Sequence, residues 1–206
     1  MTSIERTAYP RFSRAPSVKE LRELYTPTPH DIAFVTTGAR GDGPQFALMI
    51  LLKAFQRLGY FPSPQEIPGA VISHIRAVMR FPDGLVPDIV PRTMYRYHAA
   101  IRVYLDIKSD GQYIRDVAAQ AIYTAVQIMD TPADLINVAI ETLVKEHCEL
   151  PAFTTPEDQE KRIKYNDLIA NCVILNNTVE LSEKLNELAQ EGYAITKDEL
   201  AALSPY

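Results

Sequence analysis

The sequence predicts an all-α protein, because helix-start signals recur along the chain and strand-like alternation of β-branched residues is nearly absent. The pattern of Ser or Thr, then Pro, any residue and an acid occurs at Thr28, Ser63, Thr131 and Thr155. The hydroxyl can cap free N–H groups, Pro fits the first helical position, and the acid favours the positive end of the helix dipole. Capping boxes without the proline begin at Ser17 and Thr196. These six starts predict a multi-helix bundle.

A basic arm and a short helix open the chain. The arm contains Arg6, Arg11 and Arg14, and residues 17–25 are predicted to be the helix. A second helix starts at Thr28. An arm of this kind is often disordered, but it can also lie in a DNA groove. The sequence leaves both alternatives open.

The most apolar stretch, residues 45–58, is predicted to be the central core helix. Its hydrophobic side chains cover most of the helix circumference and leave Lys53 and Arg57 on a narrow polar side. Gly59 is expected to end this helix, because glycine is the preferred residue just after a helix C-terminus.

Two amphipathic helices separated by a proline-rich loop are predicted next. The first runs from residue 63 to about residue 80, with Arg76 and Arg80 on its exposed side. The loop contains too many prolines to be helical, and it leads to a second helix over residues 91–105. The order helix, loop, basic helix is typical of a helix-turn-helix unit, although a loop of about ten residues exceeds the 3–4-residue turn of the compact motif.

The helix over residues 91–105 is the main candidate for a functional surface. At 100° per residue, one side carries Arg92, Tyr95, Arg96 and Arg102, while apolar residues occupy the other. One face can therefore be buried while the opposite face offers three guanidinium groups and a phenol. The alternative is an ordinary solvated helix surface.

The back of the chain is predicted to hold an antiparallel helix pair and a helical tail. Residues 112–129 and 131–148 form the pair, joined by a tight connection. A segment with two prolines, residues 150–156, then breaks the chain. The tail is predicted to be helical over residues 157–189 and again over residues 196–203.

Charge is distributed unevenly along the 206 residues. Residues 1–108 contain 14 Lys and Arg against 9 Asp and Glu, a net charge of +5, whereas residues 109–206 contain 7 against 17, a net charge of −10. A basic front half keeps DNA binding possible although the whole chain carries −5. No apolar run approaches a membrane span and the start of the chain is polar, so we expect a soluble, cytoplasmic protein.

No catalytic motif is recognisable. The chain has no glycine-rich phosphate loop, no Gly-x-Ser-x-Gly and no His-Glu-x-x-His, and its four histidines are scattered. Cys148 and Cys172 have no partner at metal-ligand spacing and are expected to be buried or half-buried thiols. Acids cluster at residues 157–160 and 180–199, but such clusters are usually solvated helix surfaces. The sequence therefore predicts neither an enzyme nor a bound cofactor.

Six segments, in order, carry a resemblance to a known family: ERTAYPRF at 5–12, ELYTPTP at 23–29, LLKAFQRLGYFP at 51–62, IPGAVISHIRAVM at 67–79, PRTMYRYHAAIRVYL at 91–105 and DTPADLINVAIETLVKEHCELPAF at 130–153. Taken together, they resemble the N-terminal domain of the large transposases of the Tn3 family of replicative transposons. The resemblance covers roughly residues 3–155. It implies recognition of the transposon's terminal inverted repeats, with the metal-dependent acidic catalytic centre far downstream.

The tail resembles a different part of the same family. Residues 162–206, with KYNDLIANCVILNN, LSEKLNELAQEGY and LAALSPY, are similar to the extreme C-terminal end of the catalytic domain. This resemblance implies a chain whose middle is missing, joined near residues 155–161. We therefore divide the chain into a DNA-binding-like domain, residues 1–155, and a helical tail, residues 156–206. Mg²⁺ would serve only the intact transposase.

Helical geometry and charge select the candidate DNA contacts within this frame. They are Arg92, Tyr95, Arg96 and Arg102 in the first rank, Lys53, Arg57, Arg76 and Arg80 in the second, and Arg11 and Arg14 in the arm. The function expected is sequence-specific binding of double-stranded DNA at the inverted repeats by a catalytically inactive chain. The alternatives are an interaction module or inhibitor that pairs with intact transposase, an active nuclease, and a decayed product.

Overall fold

The computed structural model describes residues 8–87, 91–129 and 131–151, and this part of the chain is built from helices. They are α1 (Val18–Leu24), α2 (Pro29–Gly38), α3 (Asp42–Leu58), α4 (Gly69–Met79), α5 (Pro91–Tyr104), α6 (Gly111–Ala125) and α7 (Pro132–Lys145). The prediction of an all-α fold is confirmed. Within the described ranges, no helix is long and apolar enough to cross a membrane. The predicted helices over 157–189 and 196–203, the Thr155 cap and Arg6 lie outside the described residues.

Side-chain caps fix the starts of the first two helices where the sequence predicted them. The Ser17 hydroxyl accepts a hydrogen bond of 3.1 Å from the N–H of Glu20 and begins α1. At α2 the capping box is complete: the Thr28 hydroxyl accepts from the N–H of Asp31, and the Asp31 carboxylate accepts from the N–H of Thr28. These bonds satisfy N–H groups that a helix start otherwise leaves unpaired.

The helix predicted to start at Ser63 does not run to residue 80 without a break, and this prediction is wrong. A capping box does form between Ser63 and Glu66, but it opens only one 3₁₀ turn, Pro64–Glu66. Ile67 is then extended, with φ −75° and ψ 119°, because a residue that precedes proline is pushed out of the α region. Pro68 precedes α4, which starts at Gly69.

The central helix, α3, is enclosed by protein as the sequence predicted. Every residue from Phe46 to Phe55 is buried, and α2, α4 and α5 pack against it. The helix ends at Gly59, whose φ of 73° is left-handed and suits glycine. A Cβ atom at Gly59 would lie 3.1 Å from Leu150 Cδ1, so the close approach of the chain after α7 also requires glycine.

A second hydrophobic cluster forms between α6 and α7 and joins the end of α3 through Leu58 and Tyr60. The two helices are antiparallel, because Lys108, just before α6, exchanges backbone hydrogen bonds with the chain just after α7. Its N–H donates to His147 O at 2.8 Å, and its carbonyl accepts from Glu149 N–H at 2.9 Å. We call residues 146–151 the exit segment. The predicted antiparallel pair is present, although α6 ends at Ala125 rather than near residue 129.

Candidate nucleic-acid interface

One side of α5 is buried against the core and the opposite side is exposed. Tyr97 and Ile101 are almost completely buried in the cluster around α3. The exposed residues of the helix form what we call the α5 outer face: Arg92, Tyr95, Arg96, Ala99 and Val103. Three of the four first-rank candidates therefore lie together on an accessible surface.

Packing fixes the position of α5. The Tyr104 ring stacks on Phe34 at a centroid distance of 4.2 Å, and its hydroxyl lies 3.3 Å from Asp31 Oδ1. Arg96 holds its guanidinium carbon 5.4 Å from the centroid of the Tyr97 ring, within cation–π range. A helix anchored in this way presents its outer face with little conformational freedom.

Arg102 does not belong to the α5 outer face, which corrects the expectation of three guanidinium groups there. Its Nε and Nη2 atoms lie 2.5 and 3.0 Å from the two carboxylate oxygens of Glu149 in the exit segment. The guanidinium also lies 5.0 Å from the centroid of the Phe61 ring. Helical geometry puts Arg102 at the edge of the face, about 80° from Arg92. The ion pair with Glu149 holds its guanidinium against the protein. Val103 is exposed in its place.

Lys53 is buried, so the expectation that it contacts phosphate is corrected. Only 5% of the residue is exposed, and its Nζ atom lies 3.3 Å from Asp31 Oδ2. Burial alone would raise the pKa of Asp31, but the N–H of Thr28, the Lys53 ammonium and Gln56 together hold it below its ordinary value. This buried ion pair stabilises the contact between α2 and α3 and is not available to a ligand.

Arg57 and Arg76 also interact with the protein itself. Burial raises the pKa of the Tyr25 phenol, and the positive charge of Arg57 opposes that rise. Arg76 donates to Leu85 O at 3.2 Å and lies over the Phe46 ring. The prediction that Arg76 lies on an exposed side is therefore wrong, because its guanidinium holds the loop after α4.

Arg80 is exposed at the end of α4, where its φ of 58° is left-handed. The helix-turn-helix arrangement of α4 and α5 stays a prediction. Both helices pack on α3, but part of the loop between them lies outside the described residues.

The arm is attached to the protein from residue 8 onwards. The N–H of Ala8 donates to Asn137 Oδ1 at 2.6 Å, and Tyr9 stacks on Tyr60 with 5.3 Å between ring centroids. Arg11 and Arg14 are exposed on this attached stretch. Their reach into a DNA groove stays a prediction.

A stack of His98 on Phe61 lies between α5 and the chain after α3. The ring centroids are 3.7 Å apart and the planes differ by 11°. The Nε2 atom is buried without a hydrogen-bond partner. Burial, with a smaller contribution from Arg102, lowers the pKa of His98 to about 4. The imidazole is therefore neutral at pH 7.

No group of three or more His, Cys, Asp or Glu side chains in the described part of the chain is arranged to hold a metal ion. Cys148 is a buried free thiol, and burial raises its pKa, which disfavours the reactive thiolate.

Comparison with known protein families gives two matches. Residues 1–161 match a family model described as a domain of unknown function, DUF4158, and residues 146–206 match the Tn3 transposase DDE domain. The matches overlap over residues 146–161. No curated protein and no solved structure matches the chain.

An all-α domain followed by a piece of a transposase domain defines a transposition-related protein. The chain belongs to the Tn3 transposase family, with the N-terminal region of such proteins over most of its length. Of the DDE domain, only a C-terminal fragment is present. The resemblance identified in the sequence is thus confirmed for both parts.

Proposed function

We propose that this protein binds double-stranded DNA at the terminal inverted repeats of a transposon, in the cytoplasm, and that the α5 outer face makes the contacts. The observation that carries the proposal is the exposed group of Arg92, Tyr95 and Arg96 on a helix whose opposite side is anchored in the core. Arg can pair with guanine O6 and N7 or with phosphate, and a Tyr hydroxyl can donate to phosphate or sugar.

Three further exposed cations, Arg11, Arg14 and Arg80, are candidates for phosphate contacts at the margins of this interface. Arg57 and Arg76 rank below these three cations, because each is only partly exposed and interacts with neighbouring protein groups. Arg102 and Lys53 are not candidates for DNA contacts, because each forms an ion pair with an acidic side chain of the protein.

A titration of the protein against inverted-repeat DNA tests the proposal. Fluorescence anisotropy compares the terminal repeat of the encoding transposon with a scrambled duplex of the same composition, at two salt concentrations. We expect tighter binding to the repeat and a steep loss of affinity with salt, since each neutralised phosphate contributes roughly 0.9 to the logarithmic slope. Equal, weak and salt-indifferent binding to both duplexes would refute the proposal.

We also infer that the chain is an internally deleted transposase that cannot cut DNA. The overlap of the two family matches over residues 146–161 supports a junction in this region. A protein that occupies the transposon ends without a catalytic centre would compete with intact transposase and inhibit it. In a transposition assay, added protein should lower the yield of products, and the Arg92→Ala variant should lower it less. Strand cleavage by this protein alone with Mg²⁺ would overturn the inference.

A second candidate function is an interaction module that pairs with intact transposase. The helix pair of α6 and α7 supports it, because large hydrophobic side chains are exposed on α6 at Tyr123, on α7 at Val144 and in the connection between the two helices at Ile128. Surfaces of this kind occur at protein interfaces, although single exposed residues are common. Size-exclusion chromatography of a mixture with intact transposase, without DNA, distinguishes the two candidates. A joint peak favours this one, and separate peaks exclude it.

A further inference from the structure

The C-terminal part of the α5 outer face is apolar. Val103 is 83% exposed, more than any other large hydrophobic side chain in the described part of the chain, and exposed Ala99 lies one turn before it. Contact between a valine side chain and water is unfavourable, and the side chain makes no hydrogen bond. These two residues are therefore unlike the charged and polar groups expected on a merely solvated helix surface.

Helical geometry places the two apolar residues on the same side of the helix as Arg92 and Arg96, one to two turns after Arg96. Relative to Arg92, Ala99 and Val103 lie about 20° to either side, with Tyr95 and Arg96 flanking them at about −60° and +40°. From Arg92 to Val103 the face is roughly 16 Å long. The small side chains in its C-terminal part let the helix backbone approach a partner closely, while the guanidinium groups attract a polyanion.

We propose that Ala99 and Val103 recognise thymine through apolar contact with its C5-methyl group. This inference rests on the proposed function, namely that the α5 outer face binds double-stranded DNA. At the base edges of the major groove the thymine methyl is an apolar group, and alanine and other small apolar side chains contact it. A phosphate group offers Val103 no apolar partner. Arg92 and Arg96 in the first turns anchor the helix, and the apolar residues after them distinguish A·T pairs from G·C pairs.

Removal of the methyl group from DNA tests this assignment. The inverted-repeat duplex is compared with duplexes in which single thymines are replaced by deoxyuridine, which lacks only the C5-methyl. Binding of the wild-type protein should weaken roughly threefold to fivefold at each contacted position, the effect of losing one buried methyl-sized group. The salt dependence should stay the same, because the number of phosphate contacts is unchanged.

Two valine variants provide matched controls. Val103→Ser removes both side-chain methyl groups, and it should bind thymine and deoxyuridine alike at the position that Val103 contacts. Val18→Ser makes the same change at a 67% exposed valine of α1 and should keep the wild-type preference for thymine. Far-UV circular dichroism checks that both variants are folded.

The possible results separate this inference from the proposed function. If the wild-type protein prefers the repeat over scrambled DNA but binds every deoxyuridine duplex equally well, thymine recognition by α5 is refuted and DNA binding stands. If the repeat and the scrambled duplex bind alike, both proposals fail. If Val103→Ser changes the elution volume of the free protein and leaves the deoxyuridine effect intact, the apolar residues contact a second copy of the chain, and the inference is overturned.

Discussion

Arg102 and Glu149 form a two-pronged ion pair that joins the end of α5 to the exit segment. Both carboxylate oxygens are engaged, at 2.5 and 3.0 Å, and the guanidinium lies over the Phe61 ring. A bidentate pair of this type fixes the relative orientation of the two groups and is stronger than a hydrogen bond between neutral groups. The orientation of the proposed DNA-binding helix therefore depends on residues that follow α7, at the start of the transposase-domain match.

Loss of this ion pair should destabilise the protein. Because the pair is only partly exposed, Glu149→Gln should lower the free energy of unfolding by about 1–3 kcal/mol, measured by urea denaturation. Glu146→Gln is the control, since Glu146 lies 3.8 Å from Lys108 with both side chains nearly half exposed, and we expect a change of about 0.5 kcal/mol or less. If Arg102→Ala instead weakens DNA binding without affecting stability, Arg102 contacts DNA.

Arg92 and Arg96 should contribute to DNA affinity rather than to stability. Arg92→Ala or Arg96→Ala should cost about 1–3 kcal/mol of binding and relax specificity at one base pair if the contact to guanine is bidentate. A phosphate contact would instead weaken all sequences alike and reduce the salt slope by about 1. Anisotropy titrations against substituted duplexes separate these results. Lys145→Ala is the control, because it removes an exposed cation of α7, and it should bind DNA as the wild type does. If both arginine variants also bind as the wild type does, the exposed side of α5 is an ordinary solvated helix surface.

Local chemistry in the sequence was sufficient to predict most of the fold. The caps at Ser17 and Thr28 and the apolar run of α3 are short-range signals, and each has the predicted outcome in the structure. The break before α4, which was not predicted, also has a local cause. Pro68 restricts Ile67 to extended conformations, and this restriction prevails over the capping box at Ser63, which opens only one 3₁₀ turn.

The candidate site was less predictable from the sequence, because the wrong predictions concern residues whose partners lie far along the chain. Arg102 pairs with a residue 47 positions later, and Lys53 pairs with a residue 22 positions earlier. Periodicity shows which residues share a helix face, but it does not show which charged side chains find a partner across a tertiary contact. The exposure of Arg92, Tyr95 and Arg96 was predictable, because it follows from the burial of the opposite side of α5 alone.

Substitution of Lys53 should affect folding and leave the salt dependence of DNA binding unchanged. Lys53→Ala leaves the Asp31 carboxylate buried without its cation, and removal of one member of a buried pair costs about 3–5 kcal/mol. Urea denaturation measures this loss. Lys19→Ala is the comparison, because Lys19 is a highly exposed lysine 3.9 Å from Glu23, and its removal should change stability by less than about 1 kcal/mol. A stable Lys53→Ala protein with a flatter salt dependence would place Lys53 at the DNA after all.

Acidification should destabilise the protein through His98. Its pKa is lowered from 6.5 to about 4 in the folded state, chiefly by burial, so the unfolded chain binds more protons between these two values. Stability should therefore fall as the pH is lowered from about 6.5 towards 4, by on the order of 1–3 kcal/mol from this group. His98→Phe retains a ring against Phe61 without a titrating nitrogen and should flatten the dependence. Some slope should remain, since burial also lowers the pKa of His74. Urea midpoints measured from pH 4.5 to 7.5 test this, and identical pH profiles for the wild type and His98→Phe would show that the buried imidazole is not the group responsible.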